Sequence, residues 1–363
     1  MSDLARLRPN PSLAERLEGR LGRWLAHLPG SLLLRLIREA PHVVDGRTLD
    51  PHLQVILAAQ RRKVRPGLCS PTVAAGRATY HREVLAAAGT PTPVAHVHDI
   101  TVDGAEGPLA ARHYVPASGS TGPAPVLLFL HGGGFVIGDL NTHDEPCRLL
   151  CHYANMHVVS VAYRLAPEHP FPAAVEDSIA ALRWLQQHAA ALGADATRVC
   201  VGGDSAGGNL AAVASLARAR DGAPPAAQLL LYPATDSTCH APSRTTFASG
   251  YLLEVSDVVA FRRHYLGDNT DRYADPMVSP ALSTDIALSP PTLITTGGFD
   301  VLRDEGMAFA TALRDAGVAV IERCEAGMIH GFVHMTYVSP GARNATIAIA
   351  RALSSLVDVR RPR

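Results

Sequence analysis

The N-terminal part of the chain carries apolar side chains at helical spacing. Large apolar residues recur every three or four positions and share one helix face: Leu13, Leu17, Leu21, Trp24 and Leu28. Ser12, followed three residues later by Glu15, forms a capping-box signature at the start of this pattern. Because apolar and polar positions do not alternate here as they do in strands, residues 1–85 are predicted to form an N-terminal helical cap segment. Arginines scattered along such a helix favour a solvated face over a membrane contact.

From about residue 95 the pattern changes to short β-branched or apolar runs separated by helical stretches and Gly/Pro turns. This alternation predicts an α/β domain over residues 86–363, with a mostly parallel central sheet and helices on both faces. The predicted strands are Val126–Leu130, Val158–Tyr163, Val199–Gly202, Gln228–Tyr232, Thr292–Thr296 and Val318–Glu322. The predicted helices include Ala173–Leu192 and Asn209–Arg220. Residues 240–280 interrupt the alternation without an obvious strand, which predicts a cap insertion.

Charge and composition limit the classes of partner. The chain has 33 Lys and Arg against 33 Asp and Glu, so its formal net charge is +0 and it lacks the field that attracts nucleic acid. With 47% hydrophobic and 18% charged residues, it has the balance of a globular protein. No apolar run approaches the roughly 20 residues of a membrane-spanning helix. We expect no nucleic-acid partner and no membrane span.

Two features predict a cytoplasmic location. The 6 cysteines are scattered, without the density of a disulfide scaffold or the paired spacing of a zinc site, which indicates free thiols in a reducing compartment. Residues Met1 to Arg8 lack the basic start and apolar stretch of a signal peptide.

The clearest chemical motif is Gly203-Asp204-Ser205-Ala206-Gly207, which directly follows a predicted strand and precedes an alanine-rich helix. A nucleophile on a sharp strand-to-helix turn takes a strained backbone conformation, and small residues on either side let the flanking backbones approach. Ser205 is therefore the candidate nucleophile. The alternative, a glycine-rich phosphate loop, normally has a lysine before the serine, and none is present.

A second motif, His131-Gly132-Gly133-Gly134, follows the predicted strand Val126–Leu130. Successive glycines leave backbone N–H groups free to converge on an oxygen, as the oxyanion of a tetrahedral intermediate requires. We expect the amides of Gly133, Gly134 and Ala206 to form an oxyanion hole, and His131 to brace the loop. The next residues line either the acyl side of the site or the core: Phe135, Val136 and Ile137.

A serine nucleophile needs a base and a carboxylate that orients the base. Asp300 follows the predicted strand Thr292–Thr296 across a glycine turn, and His330 follows the next strand. The order Ser205, Asp300, His330 is the order that this kind of sheet requires. Asp304 and Glu305 are rival acids, although they are expected on the helix that begins there.

Together with two further blocks, Tyr163–Glu168 and Asp300–Gly306, these motifs resemble the bacterial hormone-sensitive-lipase-like (family IV) esterases of the α/β-hydrolase superfamily. The resemblance extends from about residue 70 to the C-terminus. It implies an α/β-hydrolase fold whose helical cap is made from the N-terminal helices and the segment after Tyr232-Pro233. It also implies structural roles for Asp204 and for Tyr163–Glu168. Residues 1–45 form a longer extension than the family usually carries.

The resemblance implies a serine carboxylesterase that hydrolyses short-chain, small-molecule esters through an acyl-enzyme intermediate. That mechanism needs no metal or organic cofactor. Two other functions stay open: a ligand receptor without turnover, which an intact His330 disfavours, and an amidase or peptidase with the same triad. A homodimer stays open beside a monomer.

Overall fold

The structure, a computed structural model, describes residues 11–62, 67–117 and 122–358. Within these residues the strands are β1 (Val43–Val44), β2 (Arg47–Thr48), β3 (His96–Asp103), β4 (Pro108–Val115), β5 (Ala124–Leu130), β6 (His157–Val161), β7 (Ala194–Asp204), β8 (Gln228–Leu231), β9 (Thr292–Phe299) and β10 (Val320–Ile329). The helices are α1 (Leu13–Leu25), α2 (Gly30–Ile37), α3 (Pro51–Arg61), α4 (Val73–Ala87), α5 (Asp144–Ala154), α6 (Ala173–His188), α7 (Ala206–Arg220), α8 (Ser243–Thr246), α9 (Val255–Leu266), α10 (Arg303–Asp315) and α11 (Pro340–Asp358). Residues Met1 to Arg8, used in the location prediction, lie outside the described residues.

The predicted parallel sheet is confirmed. Its eight strands follow the order β10-β9-β8-β7-β5-β6-β4-β3. Strands β5 to β10 run parallel, while β4 pairs antiparallel with both β3 and β6. All seven residues of β5 are buried, because helices cover both faces of the sheet. The chain therefore has the predicted α/β-hydrolase architecture.

Each predicted strand overlaps one of β5 to β10, but some bounds were wrong. The last strand starts two residues later than predicted and runs on to Ile329, because it pairs along β9 and then shifts register after Glu325. The helix predicted from Ala173 leaves α-geometry at His188, and a 3-10 turn continues to Leu192. Gly193, with φ 80°, ends that turn.

Two pairs of strands differ from the sequence-based prediction. β3 and β4 form an antiparallel hairpin at one edge of the sheet. The N-terminal region, expected to be free of strands, contains the short β1–β2 hairpin. Asp45 and Gly46 connect β1 to β2 with φ of 51° and 71°, the positive pair that a tight hairpin turn of Asp-Gly type requires.

Two hydrophobic cores lie on opposite faces of the sheet. One contains apolar residues of α6, α7 and α10, and the other contains residues of α5 and α11. The predicted capping box of α1 is present, since the Glu15 N–H donates to Ser12 Oγ and the Ser12 N–H to Glu15 Oε2. The cap boundaries at residue 85 and at 240–280 stay predictions. Among the described residues, no helix is long and apolar enough to cross a bilayer.

A cavity of about 820 Å³ lies where the carboxyl ends of the central strands meet the N-terminal helices and α9. Cap residues from α1, α3, α4 and α9 form much of its wall. Such a position, at the carboxyl ends of parallel strands, is where ligands bind in open α/β folds.

Candidate active site

Ser205 lies at the turn between β7 and α7, where the chain changes from strand to helix. Its backbone has φ 54° and ψ −116°, a strained conformation for a residue with a Cβ atom. Glycines on either side make the turn sterically feasible: a Cβ atom on Gly203 or Gly207 would lie 2.2 or 1.9 Å from the carbonyl oxygen of Leu130. The turn leaves Ser205 partly exposed in the cavity wall.

The structure brings the other two predicted triad residues to Ser205. His330 Nε2 lies 3.0 Å from Ser205 Oγ, and His330 Nδ1 lies 2.8 Å from Asp300 Oδ2. Asp300 follows β9 and is fully buried, while His330 follows β10 and is 8% exposed. The second carboxylate oxygen of Asp300 accepts the Leu302 N–H at 2.8 Å, which fixes its orientation. The geometry is that of a nucleophile, a base and an orienting acid.

The two alternative acids, Asp304 and Glu305, are bonded to groups other than His330. Asp304 accepts the Ser243 N–H and pairs with Arg303. Glu305 is buried, pairs with Arg244 at 2.7 Å and accepts the Thr235 N–H. Both side chains belong to α10, as expected, and Asp300 is the carboxylate bonded to His330.

The glycine loop lies beside Ser205 in the same cavity wall. Gly133 and Gly134 have φ of 113° and 61°, values that side chains with a Cβ atom rarely adopt. Within the described part of the chain, neither amide donates a backbone hydrogen bond. Ala206 is the first residue of α7, so its N–H has no acceptor within the helix. The three amides predicted as an oxyanion hole are therefore free donors at the cavity.

His131 supports this loop from below. Its ring stacks on Tyr163 with centroids 4.4 Å apart, and its Nδ1 lies 2.8 Å from the Gly132 carbonyl oxygen. The Tyr163 hydroxyl donates to the His131 carbonyl at 2.6 Å. Burial lowers the pKa of His131 to about 4, so the ring stays neutral near pH 7. These contacts fit the predicted bracing role.

Asp204, next to the nucleophile, connects three segments of the site. Its Oδ1 accepts the Gly132 N–H at 2.8 Å and lies 3.2 Å from His143 Nε2. Its Oδ2 accepts the Tyr232 hydroxyl at 3.4 Å and lies 3.5 Å from His334 Nε2. Burial raises the pKa of Asp204, but the charges and hydrogen bonds of the two histidines outweigh burial and hold this pKa well below its usual range. An anionic Asp204 thus connects the glycine loop, the turn at Ser205 and the segment after His330.

The same cluster has the spacing of metal ligands, with one ligand atom each from His143, Asp204 and His334 within 4.8 Å of one another. The Gly132 N–H, however, donates to Asp204 Oδ1 at 2.8 Å, the same oxygen that lies 3.2 Å from His143 Nε2. A metal ion would have to displace that donor. We therefore assign the cluster to hydrogen bonding.

The three residues after the glycine loop divide between cavity and core. Phe135 lines the cavity and stacks face to face on Tyr265 of α9, with ring centroids 3.9 Å apart. Ile137 also lines the cavity, whereas Val136 is fully buried in the core. Phe261 of α9 lies over the loop as well, because a Cβ atom on Gly134 would lie 2.2 Å from its ring. Helix α9 thus packs directly on the glycine loop.

The segment Tyr163–Glu168 connects this loop to α4. Arg77 of α4 donates to the carbonyl oxygens of Val136 and Ala166 and forms a two-pronged pair with Glu168. The contacts agree with the packing and turn role that the resemblance implies.

Several residues that shape the site were not predicted from the sequence. Neither His143 nor His334 was singled out, nor were the two aromatic rings of α9 that cover the loop. His334 lies four residues after His330 on the next turn, and that spacing was the one available signal.

Comparisons with known proteins identify the family to which the chain is similar. The model of a family described as having the α/β hydrolase fold matches residues 127–334. The carboxylic ester hydrolase LipN of Mycobacterium tuberculosis is 44% identical over 320 residues, which cover 86% of this chain and 84% of LipN. The ethyl acetate hydrolase of Pseudomonas putida is 42% identical over 229 residues, covering 62% of this chain and 72% of that protein.

A solved ester hydrolase from the metagenome of Lake Arreo superimposes with a TM-score of 0.79 at 40% identity. The match covers 85% of this chain and 98% of that one. With the family model and a relative this similar, fold and chemistry agree: the chain belongs to the hormone-sensitive-lipase-like esterases of the α/β-hydrolase superfamily and is a carboxylic ester hydrolase.

Proposed function

We propose that Ser205 is the nucleophile of this esterase, with His330 as general base and Asp300 as the residue that orients the base. The observation that carries the proposal is the unbroken contact chain, 3.0 Å from Ser205 Oγ to His330 Nε2 and 2.8 Å from His330 Nδ1 to Asp300 Oδ2. Asp300 keeps the proton of His330 on Nδ1, which leaves Nε2 free to accept the serine proton. It also stabilises the imidazolium that forms.

In the first half of the reaction, Ser205 Oγ attacks the ester carbonyl and His330 takes the hydroxyl proton. The Gly133, Gly134 and Ala206 amides receive the negative oxygen, and one such donor is worth about 3 kcal/mol of barrier. His330 then returns the proton to the leaving alcohol, which yields an acyl-enzyme. In the second half, His330 activates water and the carboxylic acid is released. Side chains and backbone amides perform every step, and no cofactor is required.

The proposed substrates are short-chain esters of small alcohols. The name of the Pseudomonas putida relative, ethyl acetate hydrolase, supports this preference. The cavity of about 820 Å³ is within the usual range for small-molecule sites, and Phe135 narrows it where it stacks on Tyr265. A receptor without turnover would not need the aligned triad, and the relatives are esterases rather than peptidases.

The deciding experiment for the triad is Ser205→Ala. We expect folded protein whose hydrolysis of p-nitrophenyl butyrate is near background, because the hydroxyl that forms the acyl-enzyme is gone. Ser215→Ala is the matched control, since Ser215 is a buried serine of the same helix α7. A Ser205→Ala enzyme that kept a tenth of the wild-type turnover would contradict the assignment.

Chain-length preference is tested with p-nitrophenyl esters from two to sixteen acyl carbons. We expect kcat/KM to fall by at least tenfold beyond about eight carbons, because the aromatic pair Phe135–Tyr265 limits the acyl side. Equal rates across the series would contradict a short-chain site.

The remaining expectations stay predictions. The 6 cysteines are unpaired, which supports a reducing, cytoplasmic compartment. The neutral net charge supports the absence of a nucleic-acid partner. A homodimer stays open beside a monomer.

A further inference from the structure

The apolar face of α1 points away from the protein. Four of its five large apolar side chains are more than half exposed: Leu13 75%, Leu17 55%, Leu21 55% and Trp24 59%. An amphipathic helix of a water-soluble domain normally turns this face toward the core. Contiguous exposed apolar surface of this kind marks an interaction site more often than a solvated face.

The inner face of α1 explains why the helix is held in this orientation. Gly19 packs so closely on the C-terminal end of α4 that a Cβ atom would lie 1.8 Å from the Ala86 carbonyl oxygen. Glu15 pairs with Arg82 of α4 at 3.1 Å. Arg23 donates to the Ala86 and Ala87 carbonyls at 3.1 and 3.2 Å. Polar and close-packed contacts therefore fix the helix on α4, and they leave its apolar stripe outward.

The charges of α1 are divided between its two faces. At about 100° per residue, Arg16 and Arg20 fall next to the stripe formed by Leu13, Leu17 and Trp24. Of the two acids, Glu15 lies on the side of the helix opposite this stripe and Glu18 lies to one side of it. Among the described residues, no carboxylate lies within ion-pair distance of Arg16 or Arg20. The outward face is thus apolar and cationic, with tryptophan and leucine flanked by arginine, the pattern of helices that lie in an anionic lipid interface.

A second copy of the chain fits this face less well. The four exposed side chains amount to roughly 500 Å² of apolar surface, whereas a standard interface buries about 800 Å² per partner. A two-fold interface would also place the same arginine-flanked stripe of each copy against the other. Like charges would then face one another, while an anionic lipid surface neutralises them.

We propose that α1 is a docking helix for an anionic lipid surface, into which Leu13, Leu17 and Trp24 insert. The helix is about 20 Å long and would lie flat in the interface. Leu21, at the edge of the exposed stripe, and Leu25 beside it also line the active-site cavity. Docking therefore brings the cavity next to the lipid, so that apolar esters dissolved there reach the site. This function goes beyond ester hydrolysis and does not depend on the assignment of the triad.

The test uses the full chain and vesicles of phosphatidylcholine, with or without 30% phosphatidylglycerol. The chain has 2 tryptophans, Trp24 and Trp184, so Trp184→Phe leaves Trp24 as the single fluorescent reporter. We expect sedimentation with the anionic vesicles and a blue shift of Trp24 emission. Binding should weaken at least tenfold at 0.5 M salt, because the arginine contribution is screened.

The decisive variant is Leu13→Gln with Leu17→Gln. We expect at least a tenfold loss of vesicle binding and hydrolysis of soluble p-nitrophenyl acetate within twofold of wild type. Leu288→Gln is the matched control, since Leu288 is 47% exposed and outside the cap helices, and it should bind vesicles like wild type.

Three results would overturn the proposal: no binding of the wild-type chain to anionic vesicles, equal binding by the double variant, or a wild-type dimer that the double variant dissociates. The last result would assign the stripe to a second copy. Loss of ester hydrolysis in every form, with vesicle binding intact, would instead count against the proposed triad.

Discussion

The side chains around Ser205 belong to two groups, those of the proposed triad and those that hold the surrounding backbone in position. The serine, the histidine and the acid that contacts it form the proposed triad, while Asp204 accepts the Gly132 N–H and so connects the glycine loop to the turn at Ser205. Of the 17 histidines, most lie outside the site, while His143 and His334 both contact Asp204. The positioning residues matter because a backbone donor that is displaced by a fraction of an ångström stabilises an oxyanion much less well.

Asp204→Asn tests this support. Both oxygens of Asp204 accept hydrogen bonds, from Gly132 on one side and Tyr232 on the other, and an amide must turn an N–H toward one of those donors. We expect kcat to fall by 10-fold to 100-fold with KM within threefold, because the oxyanion loop loses its anchor while the cavity wall persists.

The readout specific to positioning is inhibition by a boronic acid, which mimics the tetrahedral intermediate. Its affinity for Asp204→Asn should fall in parallel with kcat/KM. Asp195→Asn, at the other end of β7, is the control and should leave both unchanged. Unchanged boronic acid affinity alongside a reduced kcat would argue against an anchoring role.

Among the elements, the two cap regions reach the site from different directions. Helix α9 contacts the end of the glycine loop through the stack of Tyr265 on Phe135. Helix α1, which packs on α4, forms one side of the cavity. The α1–α4 contact depends on a glycine rather than on an apolar seam, so it is sensitive to the size of one side chain.

Gly19→Val should therefore detach α1. The added Cβ atom would meet the Ala86 carbonyl at 1.8 Å, and backbone atoms cannot make room as a side chain can. We expect rapid tryptic cleavage after Arg20 and Arg23, with a Tm lowered by a few degrees. Gly22→Ala is the milder control, because its Cβ atom meets only the Val338 side chain at 3.2 Å. Equal resistance of Gly19→Val and wild type to trypsin would refute this account of the contact.

For the whole molecule, buried histidines predict how stability depends on pH. Burial lowers the pKa of His131 and of His113 to about 4, and lowers those of His157 and His334 as well. The unfolded chain binds protons at these groups below about pH 6.5, whereas the folded chain binds them only at lower pH, near pH 4 for His131 and His113. These histidines therefore contribute fully to the free energy of unfolding above pH 6.5, and their contribution is lost as the pH falls toward 4.

His131 alone accounts for about 3 kcal/mol of this loss between pH 6.5 and 4. Glu305, whose pKa burial raises, acts in the opposite direction but is a single group. We expect urea unfolding at pH 5 to give a free energy several kcal/mol below that at pH 7. The variant His113→Phe should have a shallower slope, because one proton-binding site is removed from the unfolded chain. A free energy of unfolding that did not change between pH 7 and pH 5 would contradict the prediction.

Much of the fold and of the candidate site was predictable from local patterns. β5 is a continuous, fully buried apolar run, and the strand–turn–helix around Ser205 needs small residues that can be read directly. The order of Ser205, Asp300 and His330 along the chain followed from the strands that precede them. The β3–β4 edge hairpin was missed because half-buried strands with charged outer faces, such as His96–Asp103, have no continuous apolar run.

The amino-acid sequence by itself determined the order of helices and strands, the sharp turn at the nucleophile and the bare glycine loop, because each depends on residues a few positions apart. Only the tertiary structure decided which histidines gather around Asp204, that α9 covers the oxyanion loop, and that the apolar stripe of α1 faces outward. Those outcomes depend on contacts between distant segments. A local pattern specifies that a helix has an apolar face, whereas the surface against which the opposite face docks decides where that apolar face points.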